Sequence, residues 1–359
     1  MAKILFITPY PYQQAPSQRF RFEQYEKLLQ EQDHELYFAS FYDHKSWKII
    51  YDHGKVLKKS LAIAKAIIKR MRLMFLLKKY DYIFIHREVA PLGPPFFEFV
   101  IAKVLKRKYI YDFDDAIWLP NYSNANAKFQ GLKAYWKVNY AMKWAHRITA
   151  GNEYLTNYAQ QFNANVQLIP TTIDTKNHHF IKTNHEEEKT IIGWTGSHST
   201  IRYLDMIFPV IKELEKTEDF VFRVISDQAP TFSLDSLDFV KWNKETEIED
   251  LSKIHIGLMP LVEDQWSEGK CGFKALQYMA LGMVAVVSPV GVNKTIVQHG
   301  VNGYLANSAE EWKEIILKLL KNPQKRKEIG KNGRQRVVEA YSVESQKDKY
   351  LALFTSEED

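Results

Sequence analysis

Short runs rich in apolar residues recur along the whole chain, and helical patterns fill the segments between them. The runs have the length of buried parallel strands, and they lie at 4–7, 35–39, 82–85, 109–112, 147–150, 166–169, 190–194, 221–225, 240–242, 256–259 and 284–287. Patterns with helical spacing lie at 22–30, 54–79, 96–105, 131–145, 201–216, 247–253 and 273–280. This alternation predicts an α/β fold with two doubly wound, Rossmann-like domains.

The length of 359 residues exceeds what one hydrophobic core usually supports, so two domains are expected. A polar stretch at 173–189 has the composition of a linker and separates the two series of elements. We therefore expect a first domain at 1–172, a second domain at 190–340 and a C-terminal helix at 341–359. Ligands of such sheets bind at the carboxyl ends of the strands, so a cleft between facing domains is the expected site.

One cysteine, 45% hydrophobic residues and 14% aromatic residues are typical of a packed globular protein in a reducing compartment. We expect Cys271 to be a small structural residue in a tight turn, because no base is evident beside it. The first residues lack the features of a signal peptide, and no run approaches the roughly 18 apolar residues that span a bilayer. These features predict a cytoplasmic protein.

The stretch 268–304 contains a pattern that favours phosphate binding. A Gly-rich turn opens it, a helix and a buried strand follow, and Asn293 then takes the position of a helix N-cap. Gly282 is expected to end the helix in the left-handed conformation. Helix starts and loop N–H groups bind phosphates readily, and Lys270 and Lys274 flank the turn. The alternative is an ordinary αβ unit with two solvated lysines.

A small-residue loop follows the strand at 190–194. Its N–H groups, at Gly196 and Ser197, are suited to a pyrophosphate. The loop does not have the G-x-G-x-x-G spacing, so it is weak evidence when taken alone.

An acidic cluster of Asp112, Asp114 and Asp115 lies at the end of the strand at 109–112. Carboxylates at a strand end are costly unless they are neutralised or solvated, so a metal, a sugar hydroxyl or a base-like role can account for them. The alternative is an N-cap with an ion pair. Basic groups are expected at the same rim, where Arg can bind phosphate with two hydrogen bonds in one plane. These are Arg19, Arg21 and Arg87, with Glu88 beside the last.

The helical pattern at 54–79 contains no acidic residue and combines lysines and arginines with Leu, Ile, Met and Phe. That composition predicts a helix lying on an anionic membrane surface. A second segment, 128–143, mixes lysines with aromatic residues in a similar way. The alternative is a pair of helices that each have one core face and one solvated face. Nucleic acid is not expected as a partner, because the chain shows no binding module for it.

The string at 269–293, with the His-Gly-Val-Asn-Gly-Tyr that follows at 299–304, resembles the donor-binding segment of retaining GT-B glycosyltransferases of the group 1 type. The resemblance extends to 169–174, to 193–197 and to Tyr341 and Ser342. The Asp-Phe-Asp-Asp-Ala-Ile-Trp string at 112–118 resembles a bacterial branch of that family. The resemblance implies a GT-B fold, with the final helix crossing back to the first domain. It also implies sugar transfer from a UDP- or GDP-linked donor to a lipid-linked or polysaccharide acceptor in cell-surface glycan synthesis.

The resemblance, together with the residue patterns, assigns roles to individual residues. Donor binding is expected at Gly196, Ser197, Glu268, Lys274, Gln277, Val292 and Asn293. Catalytic roles are expected at Asp114, Asp115 and Lys270, and acceptor binding at Arg19, Arg21, Arg87 and Glu88. Family members often carry glutamates where this chain has Gly269 and Gln277, and Glu268 lies beside the first of these positions. No metal and no cofactor besides the donor is expected.

The expected protein is therefore a retaining hexosyltransferase-like enzyme, peripheral on the inner face of a bacterial plasma membrane. One alternative is a catalytically impaired scaffold that binds a nucleotide sugar or a membrane. Another is a metal-dependent GT-A-type transferase that uses Asp112 and Asp114 as metal ligands.

Overall fold

A computed structural model describes residues 1–50, 54–120, 131, 133–186 and 189–355. The chain divides into two compact units. The first comprises Met1–Thr171 and Lys347–Asp359, and the second comprises Thr172–Gln346. Each unit is built around its own parallel sheet, so the predicted pair of α/β domains is confirmed.

The sheet of the first unit has six parallel strands in the order β2-β1-β3-β4-β5-β6. The strands are β1 (Lys3–Thr8), β2 (Glu35–Ser40), β3 (Tyr82–His86), β4 (Ile110–Phe113), β5 (Arg147–Ala150) and β6 (Val166–Leu168). The inner strands are buried on both faces, as near-continuous apolar runs require. Phe6 on β1 lies in register between Phe38 and Phe84, with ring centroids 5.2 Å apart in both pairs.

Seven helices connect these strands among the described residues. They are α1 (Pro16–Arg21), α2 (Glu26–Glu31), α3 (His44–Ile50), α4 (Val56–Leu76), α5 (Phe96–Phe99), α6 (Lys137–Trp144) and α7 (Glu153–Gln160). The helical pattern found at 22–30 does not include α1, which Pro16 starts and which buries Gln18 and Phe20. The helix predicted at 131–145 begins at Lys137 within the described residues, whereas 128–130 and 132 lie outside them.

Helix α4 is held to the sheet by one buried arginine. Arg70 is 1% exposed and donates hydrogen bonds to the carbonyls of Val89 (2.8 Å), Ala39 (2.6 Å) and Thr8 (2.6 Å). These carbonyls lie at or just beyond the ends of neighbouring strands, and that of Thr8 also accepts a hydrogen bond from Phe41 N–H over 2.8 Å. Arg70 therefore belongs to the core and not to the basic surface that the sequence predicted for 54–79.

The second unit contains six parallel strands in the order β12-β11-β10-β7-β8-β9. They are β7 (Ile191–Gly196), β8 (Val221–Ser226), β9 (Leu237–Lys241), β10 (Ile256–Met259), β11 (Val284–Val287) and β12 (Tyr304–Leu305). Its helices are α8 (Phe208–Leu214), α9 (Glu247–Ser252), α10 (Gln265–Glu268), α11 (Phe273–Ala280), α12 (Asn293–Ile296), α13 (Ala309–Leu320) and α14 (Pro323–Ala340). Helix α15 (Val343–Leu351) begins in the second unit and ends in the first. The strands at 256–259 and 284–287 have the predicted bounds, and Gly282 after α11 has the expected positive φ of 79°.

The end of the chain packs with the first unit from Lys347 onward. Tyr350 on α15 stacks on Tyr25 with 3.9 Å between ring centroids, and Phe354 lies 5.7 Å from Tyr82 and 6.2 Å from Phe84. The final residues, 356–359, lie outside the described part of the chain.

The described residues of the polar stretch at 173–189, which was predicted to be a linker, belong to the second unit and pack along it. The N–H of Thr183 donates to the Leu281 carbonyl over 2.8 Å, and His185 Nε2 lies 2.8 Å from the Gly282 carbonyl. Both acceptors are at the C-terminal end of α11, where carbonyls lack intrahelical partners. Residues 187 and 188 lie outside the described residues.

Candidate functional site

Three loops of the second unit meet at the carboxyl edge of its sheet. Strands β11, β10 and β7 are neighbours and parallel, so the segments that follow β7 and β11 emerge at the same edge. The turn that starts α11, after residue 268, packs against the segment that follows β11. The sequence-predicted donor residues 196, 197, 268, 274, 292 and 293 all lie on these segments.

The turn that starts α11 requires glycine. Gly272 holds the N-cap position with φ 67°, and a Cβ built there would lie 2.3 Å from Ile296 Cδ1. Because glycine has no side chain, it makes no capping hydrogen bond to the first turn, whereas Ser308 caps α13 through Glu311 N–H. The start of α11 therefore has no side-chain cap from Gly272. Such a helix start favours an anion.

The loop after β11 packs backbone to backbone against the residue before that turn. Gly291 has φ 53°, and a Cβ there would lie 2.9 Å from the Glu268 carbonyl oxygen. The Glu268 carboxylate accepts a hydrogen bond from Gly291 N–H over 3.3 Å. Asn293 is the first residue of α12, with Val292 at the N-cap, and its Nδ2 donates to the Ser288 carbonyl over 3.0 Å. Glu268 thus fixes the loop that was predicted to hold the donor.

Two lysines bring positive charge to this edge. Lys270 Nζ lies 5.8 Å from the ring centroid of Trp266, and Lys274 Nζ lies 5.2 Å from that of Trp194. Both are within the range of a cation–π contact, and both side chains are half-buried. The aromatic contacts hold the ammonium groups near the start of α11, where they can neutralise a phosphate.

The loop after β7 is more exposed and partly satisfied by its own groups. The N–H of Ser197 donates to Thr200 Oγ1 over 3.2 Å, and Ser197 Oγ lies 2.8 Å from Ser199 Oγ. His198 Nδ1 lies 2.6 Å from Asp227 Oδ2, which is a solvent-exposed ion pair when His198 is protonated. Ser197 keeps an exposed hydroxyl for a ligand, but its N–H is used within the loop.

Gln277, which was predicted to bind the donor, is buried on α11. It is 1% exposed, and its Nε2 lies 3.4 Å from the Nε2 of the buried His179, on the segment that runs along the second unit before β7. A ribose contact would require the amide to reach a ligand, so this burial argues against a direct donor contact. The amide instead ties α11 to the segment around His179.

Tyr278 is a positioning residue that sequence analysis missed. Its hydroxyl accepts a hydrogen bond from Thr195 N–H over 3.1 Å and donates to the Leu258 carbonyl over 3.2 Å. Burial raises the pKa of Tyr278, so the hydroxyl keeps its proton. These bonds fix α11 against both β7 and β10. A tyrosine within a helical pattern gives no sequence signal for such a contact.

The carboxyl edge of the first sheet is dominated by charges that compensate one another. Asp112 at the end of β4 lies 2.5 Å from Arg21 Nη2 and 2.8 Å from His86 Nδ1, and it accepts from Thr149 Oγ1 over 2.7 Å. Burial opposes ionisation of Asp112, but Arg21 and His86 outweigh it and hold the pKa of that carboxyl below its usual range. Arg21 also donates to the Ile169 carbonyl.

The expectation that Arg21 binds an acceptor does not fit this geometry, because its side chain is 1% exposed and both ends of its guanidinium are engaged. Arg21 acts as a clamp between β4 and Ile169. The buried Asp112 is equally unsuited to ligate a metal, which weakens the GT-A alternative.

Arg87 holds Asp114 and Asp115 together. It adopts φ 61°, a left-handed conformation that is uncommon for a residue with a side chain. Its Nε donates to Asp114 Oδ1 over 2.8 Å, and its Nη2 pairs with Asp115. Burial opposes the charge on Arg87, but the two carboxylates outweigh it and raise the pKa of the guanidinium above its usual range. Arg87 was predicted to bind an acceptor; the structure instead pairs it with the predicted catalytic carboxylates.

The remaining predicted acceptor residues are also engaged. Glu88 Oε2 lies 2.8 Å from Lys137 Nζ, which also donates to the Ala90 carbonyl over 2.6 Å. Arg19 is 8% exposed, with its guanidinium carbon 5.1 Å from the ring centroid of Phe20. Among the described residues, no group of three or more His, Cys, Asp and Glu side chains is arranged to hold a metal ion.

Residues 176–336 match the family model described as glycosyl transferases group 1. The matched range contains the turn at 268–272, α11 and the loop after β11. The match supports the group 1 glycosyltransferase family for this chain. An uncharacterized glycosyltransferase of Methanocaldococcus jannaschii is 31% identical over 142 residues, which are 37% of this chain and 38% of that protein. The match thus covers less than half of the length of that relative.

Two solved structures resemble the whole chain in fold. A sucrose-phosphate synthase from Thermosynechococcus elongatus has a TM-score of 0.71 at 12% identity, with 99% of both chains covered. HepE of Anabaena, solved in complex with UDP and glucose, has a TM-score of 0.67 at 13% identity and covers 99% of this chain and 100% of its own. The predicted GT-B class of fold is therefore confirmed.

Proposed function

We propose that this protein is a retaining glycosyltransferase that moves a sugar from a nucleotide-sugar donor to a glycan or lipid-linked acceptor. The observation that carries the proposal is the start of α11, where Gly272 provides no side-chain cap and Lys270 and Lys274 lie nearby. This arrangement suits the two phosphates of a nucleoside diphosphate. It lies within the residues that match the group 1 glycosyltransferase model.

In the proposed reaction, the bond between the sugar C1 and the diphosphate oxygen breaks while the acceptor oxygen bonds to C1 on the same face. The departing phosphate oxygen accepts the acceptor proton, so the reaction needs no separate protein base. Negative charge grows on the diphosphate as the bond breaks. The α11 start, Lys270 and Lys274 stabilise that charge without reorganising, which lowers the barrier.

Asp114 and Asp115 are proposed to contact the sugar or the acceptor. Both are paired with Arg87, so they present a fixed cluster with one more negative than positive charge. Such a cluster accepts hydrogen bonds from sugar hydroxyls and disfavours a second anion. We therefore place the phosphates at the second unit and neutral hydroxyls at these carboxylates.

UDP is the first donor nucleotide to test, because HepE was solved with UDP, and GDP is the second. Replacing Lys274 or Lys270 with alanine should weaken binding of the nucleoside diphosphate about 10- to 100-fold, the usual value of a charge-assisted hydrogen bond. Isothermal titration of the full chain measures this directly. Lys294→Ala on α12 is the matched control, because Lys294 is an exposed lysine near the same loop.

If neither UDP nor GDP binds the wild-type chain, the proposal fails at its first step. If UDP binds but neither sugar transfer nor hydrolysis of the donor is measurable, the protein is better described as a catalytically impaired scaffold. The absence of glutamate at Gly269 and Gln277 would then explain the lost activity. Anomeric configuration of the product, read by NMR, decides between retention and inversion. Full turnover in EDTA is expected, and loss of turnover in EDTA would favour the metal-dependent alternative.

We also propose that α4 docks the protein on an anionic membrane, at the inner face of the plasma membrane. With 100° per residue, Leu57, Leu61, Ile68, Met71 and Phe75 fall on one stripe of α4, opposite its buried face of Ala66, Arg70 and Met74. The stripe is solvent-exposed, up to 85% for Phe75. No helix of the described residues is long and apolar enough to cross a bilayer.

Positive charge lies beside this apolar stripe. The exposed residues Lys58, Lys65, Lys69 and Arg72 fall along one flank of α4. An exposed apolar stripe with a basic flank is the arrangement of helices that lie in the membrane interface. Co-sedimentation with phosphatidylglycerol vesicles tests it: Leu61→Ser with Phe75→Ser should lower binding, and unchanged binding would reject docking through α4.

A further inference from the structure

An aromatic cluster on α5 and α6 forms a second exposed surface of the first unit. Phe99 lies 5.6 Å from Trp144, Trp144 lies 5.3 Å from Tyr140, and Tyr140 lies 5.6 Å from Trp136, measured between ring centroids. The rings therefore form a continuous chain across the two helices. Trp136 is 53% exposed, and Phe99 and Tyr140 are each 45% exposed. Aromatic rings of this size are usually buried, so their shared exposure indicates a binding surface.

The charges around the cluster are basic. Lys103, Lys106 and Lys143 are exposed on the same segments, and the sequence has no acidic residue in 99–111 or 133–152. The nearby Glu98 is buried and accepts a hydrogen bond from Val89 N–H over 3.1 Å, so it faces the core. The surface therefore combines rings and cations without a compensating exposed carboxylate from these segments.

The position of α5 links this cluster to α4. Within the first unit, α5 contacts both α4 and α6. Phe96 and Val104, which flank Phe99 in sequence, are also exposed. The apolar stripe of α4 and the rings of α5 and α6 thus belong to three neighbouring helices.

We propose that the Phe99–Trp144–Tyr140–Trp136 cluster is a second membrane contact, seated at the headgroup level of an anionic bilayer. This inference rests on the membrane docking proposed for α4. Trp and Tyr rings are favoured at that level because they combine a large apolar body with a polar group, and the surrounding lysines match anionic headgroups. Contacts on three helices, rather than on α4 alone, would fix the orientation of the first unit on the membrane.

The test compares full-length variants by co-sedimentation with mixed phosphatidylglycerol and phosphatidylcholine vesicles, at low and at high salt. Trp136→Ser with Tyr140→Ser should lower the partition coefficient about tenfold, the usual effect of withdrawing a large apolar side chain. The loss should remain at high salt, because the rings contribute apolar contacts that salt does not screen. Phe180→Ser is the matched control, since Phe180 is an exposed aromatic residue of the second unit, and its binding should equal that of the wild type.

The outcomes separate the two proposals. If the wild type does not bind the vesicles, the docking of α4 fails and the aromatic contact fails with it. If Leu61→Ser with Phe75→Ser weakens binding while Trp136→Ser with Tyr140→Ser does not, α4 docks alone and this inference is overturned. The inference is also overturned if the ring variant keeps vesicle binding but loses retention on a polysaccharide column, because the rings would then stack on sugar. Equal melting temperatures of all variants verify that each exposed substitution leaves the fold intact.

Discussion

Charged groups are arranged differently at the carboxyl edges of the two sheets. At the first edge, Arg21 pairs with Asp112, and Arg87 pairs with Asp114 and Asp115, so the charges there are compensated internally. At the second edge, glycine turns present backbone N–H groups, and Lys270 and Lys274 lie against aromatic rings. The first edge thus has more charged residues, and these residues are paired with one another.

This difference indicates how each edge can bind. A compensated network resists a further charge, but its carboxylate oxygens still accept hydrogen bonds from neutral hydroxyls. Uncapped helix N–H groups with nearby ammonium groups attract an anion instead. Under the proposed function, the edge with fewer charged residues is the one that binds the charged ligand.

The largest expected effect concerns the buried pair at the first edge. Asp112→Asn should lower the free energy of unfolding by about 3–5 kcal/mol, because Arg21 would remain buried without a full countercharge. Asp238→Asn is the matched control in the second unit, where the ion pair of Asp238 with Arg223 spans 2.8 Å at a partly exposed position. That variant should lose about 0–1 kcal/mol.

Thermal and urea unfolding of both variants measure this contrast, with each unit followed separately by hydrogen exchange, since two units need not unfold together. Equal losses in the two variants would contradict the view that the first edge is a buried, compensated network.

A change of pH should alter the stability of the two units in opposite directions. Burial raises the pKa of Glu23 in the first unit to about 7, so the stability it contributes is lost as pH rises from its ordinary value of 4.5 through 7. Burial lowers the pKa of His185 in the second unit to about 4, so its contribution is lost as pH falls from 6.5 through 4. Each effect is up to about 3 kcal/mol.

Melting of the variants at pH 5 and pH 8 tests these signs. Between pH 5 and pH 8, the stability of Glu23→Gln should rise relative to that of the wild type. Between pH 8 and pH 5, the stability of His185→Gln should rise relative to that of the wild type. A Gln at 185 keeps a donor for the Gly282 carbonyl, which His185 Nε2 contacts over 2.8 Å. Parallel pH profiles of wild type and both variants would rule out these residues as the source of the dependence.

The smallest expected change in stability concerns the turn that starts α11, at the carboxyl edge of the second sheet. Gly272→Ala should destabilise the protein by about 1–2 kcal/mol, because alanine is strained at φ 67°. Gly300→Ala is the control, since Gly300 has φ 74° but open space around a Cβ. Gly272→Ala should melt at a lower temperature than Gly300→Ala, because its Cβ would also lie 2.3 Å from Ile296 Cδ1, and only Gly272→Ala should weaken UDP binding. Equal binding by both would mean that the α11 start does not hold the phosphates.

Much of the sheet architecture was predictable, because buried parallel strands are continuous apolar runs. The strands at 256–259 and 284–287 appear with the predicted bounds for this reason. Helix α1 was missed because its sequence, Pro16–Arg21, is polar and buries Gln18 and Arg21 through hydrogen bonds rather than through apolar periodicity. Helix α7 was missed for a similar reason: its start depends on the Asn152 side chain accepting from Leu155 N–H over 2.8 Å.

The sequence predicted which segments form the candidate site, but not which side chains pair with one another there. The turn, α11 and the loop after β11 lie together as expected, since they are close in sequence and carry a known pattern. The pairing of Arg21 with Asp112 joins residues 91 positions apart, and that of Arg87 with Asp114 joins residues 27 apart. Such pairings follow from strand order, which residue type and spacing do not specify. The contact of Gln277 with His179 was also not predictable, because a helical pattern does not show which segment each helix face meets.

Hydrogen–deuterium exchange of the full chain, with and without saturating UDP, tests the central claim most directly. The account predicts slower exchange at 268–277 and 288–297 in the second unit, where the α11 start and the neighbouring loop would hold the diphosphate. It predicts no comparable change at 86–88 and 112–118 in the first unit, because the charges there are engaged with one another. Protection confined to 86–88 and 112–118, with none at the start of α11, would contradict it.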